Sequence, residues 1–143
     1  MNNVAPDENS PASSRSLQLA VVAARTASDN RGTDIVVLDV RDITPMFDYF
    51  VIATGTSRRQ LHAMSEEIDH KLEDELCDKR MGIEGYAESR WILLDYGTVV
   101  MHLFDEEMRR FYALEELWAG APRVAWQSSE AVSKLQADLS GGT

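Results

Sequence analysis

Cysteine is nearly absent from this sequence. Cys77 stands alone, so no internal disulfide can form, and no Cys/His spacing typical of a metal site occurs. Long apolar runs are also missing. None reaches the roughly 18 residues a membrane-crossing helix needs, so no membrane association is expected. The opening MNNVAPDENSPASS has no basic cluster leading into an apolar core, and it carries acids, so neither a secretory leader nor a transit peptide is expected. These absences fit a reducing cytoplasm. Basic residues are scarce: 14 Lys and Arg face 24 Asp and Glu, a net charge of −10. Nucleic-acid affinity rests on Lys and Arg displacing counterions from phosphates, so direct RNA contact should be small. Complementary charge points instead to a basic protein partner.

What is present is one domain's worth of chain: 143 residues, enough to bury a core without disulfides or metal. Residues 1–15 are rich in Asn, Pro, Ser and acids and read as a disordered acidic tail. Ser16 reads as the cap of a first helix carrying Leu17, Leu19, Ala20, Val21, Ala23, Ala24 and Ala27, with Gly32 as its C′ stop. Residues 35–40 and 47–54 read as strands. Leu61, Met64, Ile68, Leu72 and Leu76 recur at three- and four-residue spacing, an amphipathic helix whose acidic face is read as solvated. Residues 81–85 are a short strand or extended loop. Residues 91–96 and 99–104 read as a hairpin turning at Gly97-Thr98, and Asp105 caps a last helix running to about Trp118. From Gly120 onward a flexible tail is expected, with a short helix within Glu130 to Leu139. Helices interleaved with strands give a single α/β domain, and the hairpin makes its sheet mixed and flanked by helices.

The most enzyme-like feature is the strand–Gly55-Thr56-Ser57–helix junction, with Arg58 and Arg59 beside it. Such a turn can hold a phosphate on backbone N–H groups. It can equally be a strand end turning into a Ser-capped helix, the commoner arrangement. Neither GxxxxGK[ST] nor GxGxxG occurs. Metal-assisted phosphoryl transfer needs converging acids. Asp39, Asp42 and Asp48 fit turn hydrogen bonding as easily as that role. His62 and His70 lie two helical turns apart, too far to share a metal. His102 sits among apolar strand residues and reads as structural, and Cys77 lies among acids that disfavour a thiolate. No catalytic residue, cofactor or metal ligand is assigned. The hairpin and last helix carry more apolar surface than one core stripe needs: Trp91, Leu93, Met108, Phe111, Tyr112, Leu114, Leu117 and Trp118. That surface either packs inside the monomer or serves as a binding face.

Several segments in order resemble the ribosome silencing factor (RsfS/Iojap) family. They are Leu38-Asp39-Val40, the run from Asp48 through Gly55-Thr56-Ser57 to Gln60, Gly82-Ile83-Glu84-Gly85, Trp91 to Gly97, Val99 to Phe104, and Arg109 to Trp118. The likeness covers about residues 17–118, and the domain is set at 16–119 with a tail at 120–143. It departs at Thr98, where the family usually has an acid. The resemblance implies a nucleotidyltransferase-like fold without the catalytic acids. It also implies binding to the large ribosomal subunit through its L-fourteen protein, steric blocking of association with the small subunit, and lowered translation under nutrient limitation. Members can form homodimers when free. The alternative is a nucleotidyltransferase-like enzyme or nucleotide-binding protein. The docking surface is expected to comprise Trp91, Leu93, Asp95, Val99, Met101, Arg110 and Leu114. In it Asp95 meets a basic residue of the partner, and Arg110 meets a partner's acid or holds Asp95 in place.

Overall fold

A strand covered on both faces needs an unbroken apolar run, and Phe50-Val51-Ile52-Ala53 supplies one. It forms β2 (Tyr49–Gly55), buried at every position. The computed structural model describes residues 11–127, and β2 lies inside a five-stranded sheet in it. The other strands are β1 (Thr33–Asp39), β3 (Gly82–Glu84), β4 (Trp91–Asp95) and β5 (Val99–Asp105), in the order β1-β2-β5-β4-β3. β2 and β5 are parallel and the other neighbours antiparallel. The α/β class and the mixed sheet are therefore as the sequence indicated.

One face of the sheet is fully covered. α1 (Pro11–Asp29) and α2 (Arg58–His70) pack on Val37, Val51, Ala53, Ile92, Leu94, Val99, Met101 and Leu103. α1 presents Ala20, Ala23, Ala24 and Ala27, all fully buried, and such small side chains let a helix backbone come close to a sheet. α2 presents Leu61, Met64 and Ile68, and a π-helical turn (Lys71–Glu75) continues it so that Leu72 and Leu76 also join the core.

Both ends of the first helix differ from the sequence reading. The first helix begins at Pro11, suited to a first turn because its missing N–H would be unpaired there anyway. Ser16 is therefore interior, and its hydroxyl bonds Thr98 Oγ1 at 2.7 Å, across to the hairpin turn. At the other end Arg31, not Gly32, takes the left-handed position, with φ 67°. Gly32 follows it, and its N–H reaches Ala27 O at 2.8 Å, where a Cβ would sit 2.8 Å from that same oxygen.

The last helix is also broken. α3 (Glu106–Tyr112) starts on the Asp105 cap, whose carboxylate accepts from Met108 N at 2.7 Å. Ala113 turns left-handed, φ 44°, and α4 (Leu114–Leu117) follows. The buried Arg109 explains the break. Its guanidinium donates to Glu115 Oε1 (2.7 Å), Thr54 Oγ1 (2.7 Å) and Asp34 O (2.6 Å). In a continuous helix, residues six apart point away from each other; the Ala113 turn brings Glu115 back to Arg109. Asp34 is positioned by an irregularity in the β1–β2 register and carries φ 48°.

The segment after Gly120 is not a free tail as far as Gln127. Asp39 N donates to Pro122 O (2.8 Å), Val124 N to Val37 O (2.9 Å), and Trp126 Nε1 to Ile35 O (3.2 Å). Leu38 and Arg123 form an antiparallel bridge, and Val124 and Trp126 pack on the core. An exposed strand edge attracts other chains, and this segment covers the outer edge of β1. Of the disordered tail expected over 1–15, residues 11–15 instead belong to α1, and residues 1–10, the remainder of the C-terminal tail and the helix at Glu130 to Leu139 lie outside the described residues.

Two substitutions should move stability in opposite directions. Trp126→Ala removes a half-buried ring and one edge bond, and should cost about 1–3 kcal/mol in urea unfolding. Ala113→Gly relieves a left-handed alanine, and should raise stability by roughly 0.5–1 kcal/mol. A loss of stability in Ala113→Gly would show that the turn carries no backbone cost.

Candidate functional site

The opposite face of the sheet is covered only in part. α3, α4 and Ala121 pack over Leu38, Val40, Phe50, Ile52, Val100 and Phe104, with Leu114 and Trp118 closing that half. The β4–β3 side has no helix over it, and a groove of ≈ 450 Å³ lies there, lined by Phe47, Phe50, Ile83, Leu93, Val100 and His102, with Gly82, Glu84 and Asp95. Gly85 ends β3 at φ 78°, and a Cβ at this position would lie 2.0 Å from Trp91 O, so β3 can meet β4 this closely only with glycine there.

The hairpin register decides which side chains share this face. Trp91 pairs with Phe104, Leu93 with His102 and Asp95 with Val100. Odd positions of β4 therefore sit beside even positions of β5. The surface expected from sequence grouped Trp91, Leu93 and Asp95 with Val99 and Met101. Those two point the other way and are fully buried in the α1/α2 core. The true neighbours are Val100, His102 and Phe104, missed because alternation fixes the faces of each strand but only the turn fixes their relation.

The remaining expected residues divide. Leu114 is buried in the partial layer rather than displayed. Arg110 is exposed near Asp105, whose carboxylate it helps keep charged. Asp95 lies at the far end of β4, four residues and roughly 13 Å from Trp91. It accepts from Gly97 N at 2.8 Å, so Arg110 is not what holds it. Trp91 is half-buried. Its ring packs on Phe104 and Tyr112, with centroids 4.9 and 4.6 Å away. Beyond it Phe111 (75% exposed) and Leu117 (73% exposed) extend the apolar surface along α3 and α4.

His102 lies in the middle of this face, 7% exposed. Trp91 Nε1–H donates to its Nδ1 at 3.2 Å. Indole nitrogen can only donate, so Nδ1 must be the bare nitrogen, and the neutral ring carries its hydrogen on Nε2. That Nε2–H is buried and has no partner among the described residues. Phe50 meets the ring edge-on, centroids 5.2 Å apart.

The enzyme-like features have structural partners. Thr56 N and Oγ1 both donate to Gln60 Oε1, at 2.6 and 2.9 Å, and Ser57 Oγ accepts from Gln60 N at 3.1 Å. Gln60 Nε2 in turn binds Arg31 O at 2.8 Å, which fastens the GTS turn to the end of α1. Arg58 donates to Ala87 O. Burial disfavours the charge on Asp39, but the Arg41 hydrogen bonds, with the guanidinium 2.7 Å away, hold its carboxyl below the usual range. Ser89 donates to Tyr86 O at 2.7 Å. His62 Nε2 contacts that carbonyl and the Ser89 oxygen, so it must carry hydrogen and cannot act as a base toward Ser89. No group of three or more His, Cys, Asp or Glu suited to a metal occurs among the described residues, and none of their helices is long and apolar enough to cross a membrane.

Burial lowers the His102 pKa to about 4. The unfolded value is near 6.5, so between these values the unfolded chain binds more protons and stability falls as pH drops. The loss should approach roughly 3 kcal/mol by the lower end of that window. His102→Phe should lack it, so the wild-type minus variant difference in urea unfolding should change between pH 6.5 and 4 and stay flat above. A difference that is constant across the window would mean His102 titrates normally.

Comparison with known proteins converges on one family. The family model described as "Ribosomal silencing factor during starvation" (RsfS) matches residues 13–140. The Bacillus subtilis protein named Ribosomal silencing factor RsfS is 42% identical over 102 residues, 71% of this chain and 85% of that one. A Mus musculus protein named Mitochondrial assembly of ribosomal large subunit protein 1 is 40% identical over 87 residues, 59% of this chain and 38% of its own. The crystal structure of protein CV0518 from Chromobacterium violaceum superposes with a TM-score of 0.69 at 31% identity, covering 80% of this chain and 93% of that one. The matched residues take in the whole five-stranded sheet and both of its faces, and the chain belongs to the RsfS family of ribosomal silencing factors.

Proposed function

We propose that this chain is a non-enzymatic ribosomal silencing factor. It binds the large ribosomal subunit through the L-fourteen protein, with little direct contact to RNA, and blocks association with the small subunit by occupying space. Translation falls as a result under nutrient limitation, and the protein acts in the cytoplasm. The observation that carries this reading is the half-covered sheet face: an apolar groove bordered by Glu84 and Asp95, continuous through Trp91 with exposed Phe111 and Leu117. Aromatic anchors on an open face are typical of protein interfaces. The net charge of −10 favours a basic protein over phosphate. The name of the mouse relative, which refers to the ribosomal large subunit, agrees with the choice of subunit.

A nucleotidyltransferase-like activity has less support. The Thr56 N–H that a phosphate would use is taken by Gln60, and Asp39 is held by Arg41.

Cosedimentation tests the reading. The chain should pellet with isolated large subunits and prevent their joining to small subunits, and protein-free ribosomal RNA should not retain it. Trp91→Ala should fold, melt a few degrees lower because the ring is only half-buried, and bind subunits about tenfold or more weakly. A folded Trp91→Ala chain that pellets like the wild type would remove this face from the interface.

A further inference from the structure

The buried Nε2–H of His102 is a donor without an acceptor. Leaving such a group unpaired costs free energy in the free chain, and an acceptor supplied by a bound partner recovers it. The location restricts what that acceptor can be. The groove it lines is otherwise apolar at Phe50, Leu93 and Val100, and Glu84 and Asp95 are the acids among its lining residues. Those two carboxylates repel an anionic acceptor, so a phosphate or a carboxylate is disfavoured. A neutral oxygen fits. Leu93 is the cross-strand partner of His102 on this face, is only half-buried, and lines the groove beside it.

We infer that the groove takes an extended segment of a basic protein, which sets a backbone carbonyl on His102 Nε2–H, an apolar side chain over Phe50 and Val100, and a Lys or Arg against Glu84 and Asp95. His102 is then a specificity-determining residue of the interface. It rejects segments that cannot present an acceptor at that point, because they leave the donor unpaired. The Trp91 hydrogen bond to Nδ1 is part of the same device: by fixing the tautomer it makes Nε2 a donor. This inference rests on the reading of the chain as a docking module for a basic ribosomal protein.

The test uses the full chain and purified L-fourteen protein, with calorimetry for affinity and the ¹⁵N-histidine spectrum for the ring. His102→Phe keeps a ring between Phe50 and Phe104 and deletes the donor. It should bind about tenfold or more weakly, while its melting temperature at pH 7.5 stays close to the wild-type value, since one buried unpaired N–H is removed and the Trp91 N–H loses its acceptor. His102→Gln can accept from Trp91 and still donate, and should recover most of the affinity. In the wild type the Nε2–H resonance should move downfield and become protected when the partner is added. That measurement decides the matter even if a variant fails to fold. Wild-type affinity in His102→Phe, or an Nε2–H unmoved by the partner, overturns the inference and leaves the docking function standing. No binding by the wild type overturns the docking function and this inference with it. An Nε2–H already protected in the free chain, and released on dilution, assigns the groove to a second copy and also overturns it.

Discussion

The register of the β4–β5 hairpin is the constraint on which the rest of the functional surface depends. The turn through Tyr96, Gly97 and Thr98 sets Trp91 opposite Phe104 and Leu93 opposite His102. A shift by one residue would send every side chain of one strand to the other face. Met101 and Val99 would leave the α1/α2 core, and His102 would enter it with no acceptor for its N–H. The register is held from both ends. Tyr96 N bonds Val99 O and Asp95 caps Gly97 N at the turn, while Asp105 N bonds Arg90 O at the open end. Ser16, reaching from α1 to Thr98, ties the turn to the helical layer.

The uneven covering of the sheet follows from what each side can supply. α1 and α2 are long enough to span all the central strands on one face. On the other face α3 and α4 are short, and the Arg109 cluster holds them at the β1–β2 end. Breaking a buried ion pair by removing one partner costs about 3–5 kcal/mol, so that cluster fixes where the partial layer sits. Its anchor points are Thr54 at the end of β2 and the Asp34 carbonyl in β1. The layer cannot slide over β4 without losing them. The exposed groove is therefore a consequence of where Arg109 is tied down, and the Ala113 turn lets Arg109 and Glu115 meet.

Much of this was legible in the sequence, and what was not has identifiable causes. The spacing of Leu61, Met64, Ile68 and Leu72 placed α2 and its buried face because a helical period leaves little freedom. The hairpin and the Asp105 cap were legible from local chemistry. The grouping of Val99 and Met101 with Trp91 failed because alternation within two strands does not give their relative register. The segment at Pro122 to Trp126 looked like a tail because proline and weak hydrophobicity dominate it. Its alternating Val124 and Trp126 are a strand-like signal, but its partner, β1, lies more than eighty residues earlier, and no local pattern reports that. Arg109 gave no sign of burial, since a charged residue in an acidic helix reads as solvated until its three acceptors are in place.

An α/β domain satisfies its polar groups almost everywhere, so the exceptions are informative. Gln18, His102 and Glu115 are the buried side chains with an unpaired polar atom among the described residues. Glu115 already binds Arg109 with its other oxygen, and Gln18 accepts from Arg15. His102 differs in position: among the described residues it is central to the half-covered face, against an apolar groove, with its tautomer set by a tryptophan that shares that face. A hydrophobic ring in its place would remove this unpaired donor but leave the Trp91 N–H without its acceptor, so the pair of nitrogens has to be weighed together. In the free chain Nδ1 has its partner and Nε2–H does not, and the proposed bound segment would supply the missing one. That argument also bears on charge. A phosphate-binding face would surround such a donor with Lys and Arg, whereas Glu84 and Asp95 border this one. The local chemistry and the overall charge of −10 both support the basic protein partner proposed for this face.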